Sequence, residues 1–302
     1  MATVMQELSK AVGDVTAAVA PAVVGVGAAG SGVVVGTGLV LTNAHNIRGR
    51  ETVITFADGR RAEGRPAGVD VDGDLAVVAV DTADAPVLAV AATPARRGDA
   101  VLALANPGGR GVRVSVGFVS ALDVAFRGPG GRRLDGAIEH TAPLARGSSG
   151  GPVVDAEGRL VGIDTHRAGD GFYLALPADD ELRARVDALG RGEVPRRPRL
   201  GIAVAPPQVA RRLRRSVGLP ERDGILVRAV EEGGPAARAG IRQGDLIVQV
   251  GATAVTTVDE LGGALEGADA DATVELLVVR GTDELTLAVD LGGKGTAHEG
   301  SA

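Results

Sequence analysis

Between residues 22 and 177 the chain is a succession of short apolar runs, each closed by Gly, Asp or Pro. ETVITF, DLAVVAV, PVLAVA, AVLALA, VRVSVGFVSAL, GPVVD, RLVGID and FYLALP follow one another with no helical-period stretch between them. Closely spaced strands without intervening helices predict a mainly β fold, an antiparallel barrel or sandwich. Composition agrees with this: 46 glycines serve many tight turns, and with aromatics at 2% the packing falls to Val, Leu and Ala. A length of 302 residues suggests two domains, since single cores stop growing near ~250–300 residues. Apolar content of 45% suffices for proper cores. A net charge of −6 argues against nucleic acid as the main partner, because phosphate binding needs a basic surface. The absence of cysteine excludes a disulfide framework and a thiolate metal site.

No charged residue occurs from Val15 to Thr42, which invites a transmembrane or signal-peptide reading. Pro21 and the glycines at 25, 27, 30, 32, 36 and 38 would break a membrane helix, and Glu7, Lys10 and Asp14 precede the run. A buried hairpin accounts for it better. Val4, Leu8, Val12 and Val15 predict a short amphipathic helix over residues 3–19. Leu182, Val186 and Leu189 predict another over 179–189, capped by Asp179 and ended by Gly190. GRGEVPRRPR is almost free of apolar residues and reads as a linker. Strand-like runs then return with two helical pieces, PAARAG at 235–240 and one opened by the capping box Thr257-Val258-Asp259-Glu260. The expected organisation is a helical segment over 1–21, a β domain over 22–189, a linker over 190–199, a second domain over 200–292 and a disordered tail over 293–302.

Gly147-Ser148-Ser149-Gly150-Gly151-Pro152 is the strongest chemical signal. Amide hydrolysis by serine needs an exposed hydroxyl beside backbone N–H groups that converge on the developing oxyanion, and flanking glycines permit that turn. A flexible turn between strands is the bland alternative. Thr42-Asn43-Ala44-His45 follows the strand GLVLT and holds one of only four histidines. Asp70-Val71-Asp72-Gly73-Asp74 precedes a buried-looking strand; it could orient an imidazole through Asp74, form a plain turn, or form a calcium loop lacking its closing Glu. The order His, Asp, Ser is the one found on trypsin-like double barrels.

These pieces together resemble the HtrA/Deg family of PDZ-containing serine proteases, from about residue 4 to 291. The resemblance runs through Gly30-Ser31-Gly32, Leu41-Thr42-Asn43-Ala44-His45, Asp74-Leu75-Ala76, Ala105-Asn106-Pro107-Gly108, Val116-Gly117-Phe118-Val119-Ser120-Ala121, Gly147 to Pro152, Leu160-Val161-Gly162-Ile163 and Leu174-Ala175-Leu176-Pro177. It implies a trypsin-like double β-barrel followed by a PDZ domain. It also implies that Ser149 is the nucleophile, His45 its base and Asp74 the group orienting His45, with an oxyanion hole at Gly147, Ser148 and Ser149. The primary pocket would be lined by Ala142, Pro143, Leu144, Thr165 and His166; with no acid at Pro143, it suits aliphatic rather than basic side chains. Asp164 replaces the family's usual Asn near that wall.

Gly234-Pro235-Ala236-Ala237 and Ala239 to Ile247 resemble the signature turn and helix of PDZ domains, which bind peptide C-termini by adding a strand to a sheet edge. The resemblance places the carboxylate loop at Arg199-Leu200-Gly201-Ile202 and the groove at Ile202, Leu261 and Leu265, with Arg199 in the place of the usual aromatic and able to attract a carboxylate. The implied activity is ATP-independent cleavage of unfolded proteins, without cofactor, metal or nucleic acid. The alternative is a latent or inactive peptide-binding holdase. Kinship implies a homotrimer, although the N-terminal segment lacks the aromatics that usually build it. The absence of a clear export signal predicts a cytoplasmic protein.

Overall fold

The structure, a computed structural model, describes residues 3–128, 133–194, 198–205, 207–266, 268 and 272–292. The tail expected over 293–302 and residues 195–197 of the expected linker lie outside them. The chain divides into two compact units, Met1–Pro195 and Arg196–Ala302.

Helix α1, Val4–Val19, opens the first unit. Its N-terminus is closed reciprocally: Thr3 Oγ1 accepts from the Gln6 N–H, and Gln6 Oε1 accepts from the Thr3 N–H. The uncharged run is the end of α1, a 3-10 turn and three strands, β1 Val23–Val26, β2 Gly30–Gly36 and β3 Leu39–Thr42. Among the described residues no helix is long and apolar enough to cross a membrane. With β4 Thr52–Thr55, β5 Arg61–Asp70 and β6 Leu75–Ala79, these strands close a barrel in the order β1-β2-β3-β6-β5-β4.

A second barrel comprises β7 Ala100–Ala105, β8 Arg113–Arg127, β9 Arg133–His140, β10 Pro152–Val154, β11 Leu160–Gly169 and β12 Phe172–Pro177, ordered β10-β11-β12-β9-β8-β7. Every pairing within both barrels is antiparallel. Helix α2, Asp180–Gly190, packs on β5 and β6 and is capped by Asp179, which accepts from the Leu182 N–H at 2.8 Å. Its Leu182, Val186 and Leu189 join the first barrel's core, which is why Leu75 to Val78 are buried on both faces of β6. The helix includes Gly190, one residue past the expected end, and the left-handed residue is Gly192 rather than Gly190.

PVLAVA is not a strand. Ala89 O accepts from the Leu160 N–H and the Ala91 N–H donates to Leu160 O, giving a single bridge at Val90. Both barrels are closed without it, so the segment has no further ladder to join.

The second unit holds β13 Ile202–Val204, α3 Pro207–Ser216, β14 Ile225–Val230, α4 Pro235–Arg238, β15 Leu246–Val250, β16 Thr253–Ala254, α5 Val258–Glu266, β17 Thr273–Arg280 and β18 Asp283–Asp290. Its sheet runs β13-β14-β15-β17-β18, with β16 on β15. The Thr257–Glu260 capping box closes α5, and Leu261 and Leu265 enter the core. Helix α3 corrects the expectation of two helical pieces. It turns Ala210 and Arg214 inward while Val209 and Leu213 are exposed, so its buried face carries no apolar period.

Candidate active site

The first barrel supplies an imidazole and a carboxylate. After β3 the chain enters a 3-10 turn, Ala44–Asn46, that carries His45. Asp74 stands one residue before β6 with φ 50, a left-handed conformation that Asp tolerates better than most residues. His45 Nδ1 lies 2.9 Å from both Asp74 oxygens, and the His45 N–H donates to Oδ1 at 3.2 Å. Thr165 Oγ1, from the second barrel, donates to Asp74 Oδ2 at 2.9 Å. Asn43 Nδ2 bridges Asp74 O and Thr165 Oγ1 at 2.8 and 3.1 Å. Asp74 is thus buried but saturated with donors. An ionised carboxylate only accepts, so the imidazole proton sits on Nδ1 and leaves Nε2 as a base.

The second barrel supplies the serine. Ser31 Oγ donates to Gly147 O at 2.8 Å, and the Ser149 carbonyl accepts from the Ser31 N–H at 3.1 Å and Asn46 Nδ2 at 2.8 Å. The turn is therefore held from the first barrel through its main chain. Gly147 (φ 87) and Gly150 (φ 90) are required there: a Cβ at 147 would stand 2.0 Å from Ala29 O, and one at 150 would stand 2.2 Å from Ser31 O. The Ser149 side chain is less constrained. Its Oγ donates to Thr165 O at 3.3 Å, and among the described residues no hydrogen bond joins it to the His45 ring. Catalytic contacts of this kind commonly tighten only when substrate binds.

Neither the Gly147 N–H nor the Ser149 N–H donates to another group among the described residues, which leaves both for an oxyanion. Ser148 is different from expectation. It is buried, and its N–H is engaged with Ala145 O at 3.3 Å, so it shapes the turn and is not a free donor. Of the expected pocket residues, Ala142 and Thr165 are buried, Leu144 is half-buried, and Pro143 and His166 are exposed. His166 stacks on Phe126 with ring centroids 5.7 Å apart. Arg167 reaches back to the Leu144 carbonyl at 3.1 Å.

Sequence reasoning assigned no role to Ser31, Asn46 or Arg185. Ser31 stands as a polar residue inside an apolar run, whereas Asn46 and Arg185 carry no such signal. Arg185, on α2, donates to Asp70 Oδ2 at 2.9 Å and to Gly73 O at 3.2 Å, bracing the turn that presents Asp74. Asp70 is buried and also accepts from the Gly73 N–H at 2.9 Å. Arg185→Ala should lower unfolding free energy by about 1.5–3 kcal/mol, the range for a hydrogen bond to a charged group. Urea denaturation measures this, and an unchanged midpoint would refute the bracing role.

Asp164 does not line an open pocket. Its carboxylate is buried and lies 2.8 Å from Nε2 of the equally buried His140. Burial pushes the Asp164 carboxyl above its ordinary 3.8, and the hydrogen bond and charge attraction of His140 pull it partly back. The native state therefore holds this proton to higher pH than the unfolded chain does. Stability from this group is full below the unfolded value and declines as pH rises through the folded one. Asp164→Asn removes that titration, so the variant should gain stability relative to the wild type as pH rises above the unfolded value. Parallel stability curves for the two proteins would contradict this.

In the second unit Leu200 is buried, Gly201 has φ 71 and Ile202 begins the edge strand β13. The Leu200 and Gly201 N–H groups donate to nothing among the described residues. Leu261 and Leu265 are buried in the core that contains Leu200. Arg199 already has a carboxylate partner, since its guanidinium lies 3.6 Å from Glu231.

Comparison with known proteins matches both units to known domains. The family model described as a trypsin-like peptidase domain matches residues 30–163, and that of a PDZ domain matches 198–291. The chain is 34% identical over 275 residues to the putative serine protease HhoA of Synechocystis, covering 86% of this chain and 69% of the relative. It is 31% identical to a probable periplasmic serine endoprotease, DegP-like, of Hahella chejuensis, covering 87% of this chain and 56% of the relative. Among solved structures it is similar to the HtrA-type protease AlgW with decapeptide, with TM-score 0.67, 25% identity and coverage of 92% and 97%. It is also similar to a serine endoprotease from Yersinia pestis, with TM-score 0.66, 28% identity and coverage of 92% and 96%.

Proposed function

The chain belongs to the HtrA family of serine proteases with one PDZ domain, and from that premise we propose that it is an ATP-independent endopeptidase for unfolded or damaged proteins. In this reading Ser149 attacks the scissile carbonyl, and His45 takes its proton and returns it to the leaving amine. Asp74 holds the ring in the tautomer that leaves Nε2 free, and the Gly147 and Ser149 amides receive the oxyanion. The observation that carries the reading is the junction of the two barrels, where the Asp74 carboxylate joins His45 to Thr165 and the Thr165 carbonyl holds the Ser149 hydroxyl.

Cleavage follows small or medium aliphatic residues in this reading. Ala142 and Leu144 offer an apolar wall, and Asp164, the nearby acid, is turned onto His140. A cleavage-site profile from a digested proteome tests this. Enrichment of Val, Ala, Leu or Ile before the cut is expected, and enrichment of Arg or Lys would overturn the assignment.

The PDZ domain binds peptide C-termini and regulates the protease. The free edge of β13 and the unengaged Leu200 and Gly201 amides support this, because a carboxylate can dock there while the peptide extends the sheet. Fluorescence anisotropy should detect binding of an apolar-ended peptide and its loss when the C-terminus is amidated. Equal binding of both forms would remove the carboxylate from the mechanism. Relatives named as periplasmic favour an extracytoplasmic working compartment over the cytoplasmic expectation.

A further inference from the structure

His140 and Asp164 form a second His–Asp pair, deep in the second barrel and separate from His45 and Asp74. His140 Nδ1 and Asp164 Oδ2 are buried and have no hydrogen-bond partner among the described residues. Such a pair is a poor stabilising device. Replacing buried charged pairs with well-packed apolar residues is often neutral or stabilising, and each buried orphan atom carries a desolvation penalty. Its location suggests what it does.

His140 ends β9, and the next residues are Thr141, Ala142, Pro143 and Leu144, the expected pocket wall. Asp164 lies on β11, one residue before Thr165, which donates to Asp74 and accepts from Ser149. The main chain of Asp164 is also committed to the nucleophile turn. Its carbonyl accepts from the Gly150 N–H at 2.7 Å, and its N–H donates to Gly151 O at 2.9 Å. One residue thus grips the turn with its backbone and the entrance to the pocket wall with its side chain.

We propose that the His140–Asp164 pair is a positioning element of the active site, locking the segment that leads into residues 141–149 to the strand that carries Thr165. The proposal rests on the reading of Ser149 as the nucleophile. Without the bond, the wall and the turn can shift against Thr165, and misplacement by about 1 Å can lower the chemical rate about 100-fold.

The test uses the full chain carrying His140→Phe together with Asp164→Leu, which fills the space with apolar side chains. Active sites are titrated with an organophosphonate so that kcat is expressed per reactive Ser149. The double variant should remain folded, with kcat per titrated site about 10–100-fold lower and KM little changed. His140→Gln alone, which keeps a donor facing Asp164, should retain more of the per-site kcat than the double variant. A stable double variant with wild-type kcat per site would overturn the proposal. A double variant that fails to fold would overturn it too, since the pair would then belong to barrel stability. Failure of the wild type itself to label at Ser149 would instead sink the nucleophile assignment.

Discussion

Ser149→Ala is expected to lower kcat on unfolded casein by about six orders of magnitude, the scale seen when the nucleophile of a serine triad is removed. The fold should be untouched. The interbarrel bonds at this position are made by the Ser149 carbonyl, with Ser31 and Asn46, and not by its hydroxyl. Among the described residues the hydroxyl makes one bond, to Thr165 O at 3.3 Å, in a half-buried place. Thermal melting of the variant should therefore overlay that of the parent. Residual activity, roughly 10³–10⁴ over water, would come from the oxyanion amides and substrate binding alone. Equal casein cleavage by the two proteins would mean that the hydrolysis originates elsewhere.

Asp74→Asn should follow at about 10⁴-fold in kcat, through the tautomer of His45 rather than through geometry. Both Asp74 oxygens face Nδ1, and each takes a second donor, the His45 N–H on Oδ1 and Thr165 Oγ1 on Oδ2. An amide fills the same space but has one acceptor and one donor group. Wherever its NH₂ faces the ring, Nδ1 becomes the acceptor, the ring proton moves to Nε2, and the base that Ser149 needs is lost. The same substitution sets an NH₂ against one of the other donors, so a small loss of stability accompanies the kinetic effect. Steady-state kinetics on a peptide substrate with titrated sites checks it. A variant within tenfold of the wild type would show that Asp74 does not control the tautomer.

Much of the fold was readable as local pattern. The β runs in both barrels, the Asp179 cap of α2 and the Thr257–Glu260 box of α5 are signals carried by residues close in the chain, and the structure places those elements there. β5 was not recognisable. RAEGRPAGVD contains glycine, proline and charge, and it becomes a strand because β4 and β6 need a neighbour between them to close the barrel. α3 escaped because an arginine occupies its inward face. PVLAVA misled in the opposite direction: its composition suits a strand, yet strand formation needs a partner edge, and closed barrels offer none.

The candidate site divides along the same line. Residue types and their order along the chain brought His45, Asp74, Ser149 and the glycines around the serine forward as candidates, and their roles came from the resemblance to the HtrA/Deg family. The bonds that join them span long sequence separations, and only packing could specify them. Thr165 binding Asp74, Ser31 and Asn46 holding the Ser149 carbonyl, and Arg185 bracing the Asp70–Gly73 turn are all of this kind. So are the pairing of Arg199 with Glu231 and the burial of His140 against Asp164. Hydrogen bonds depend on distance and angle in space. A linear pattern encodes the apolar faces that bring strands together, but which polar atoms then meet is decided when the barrels close.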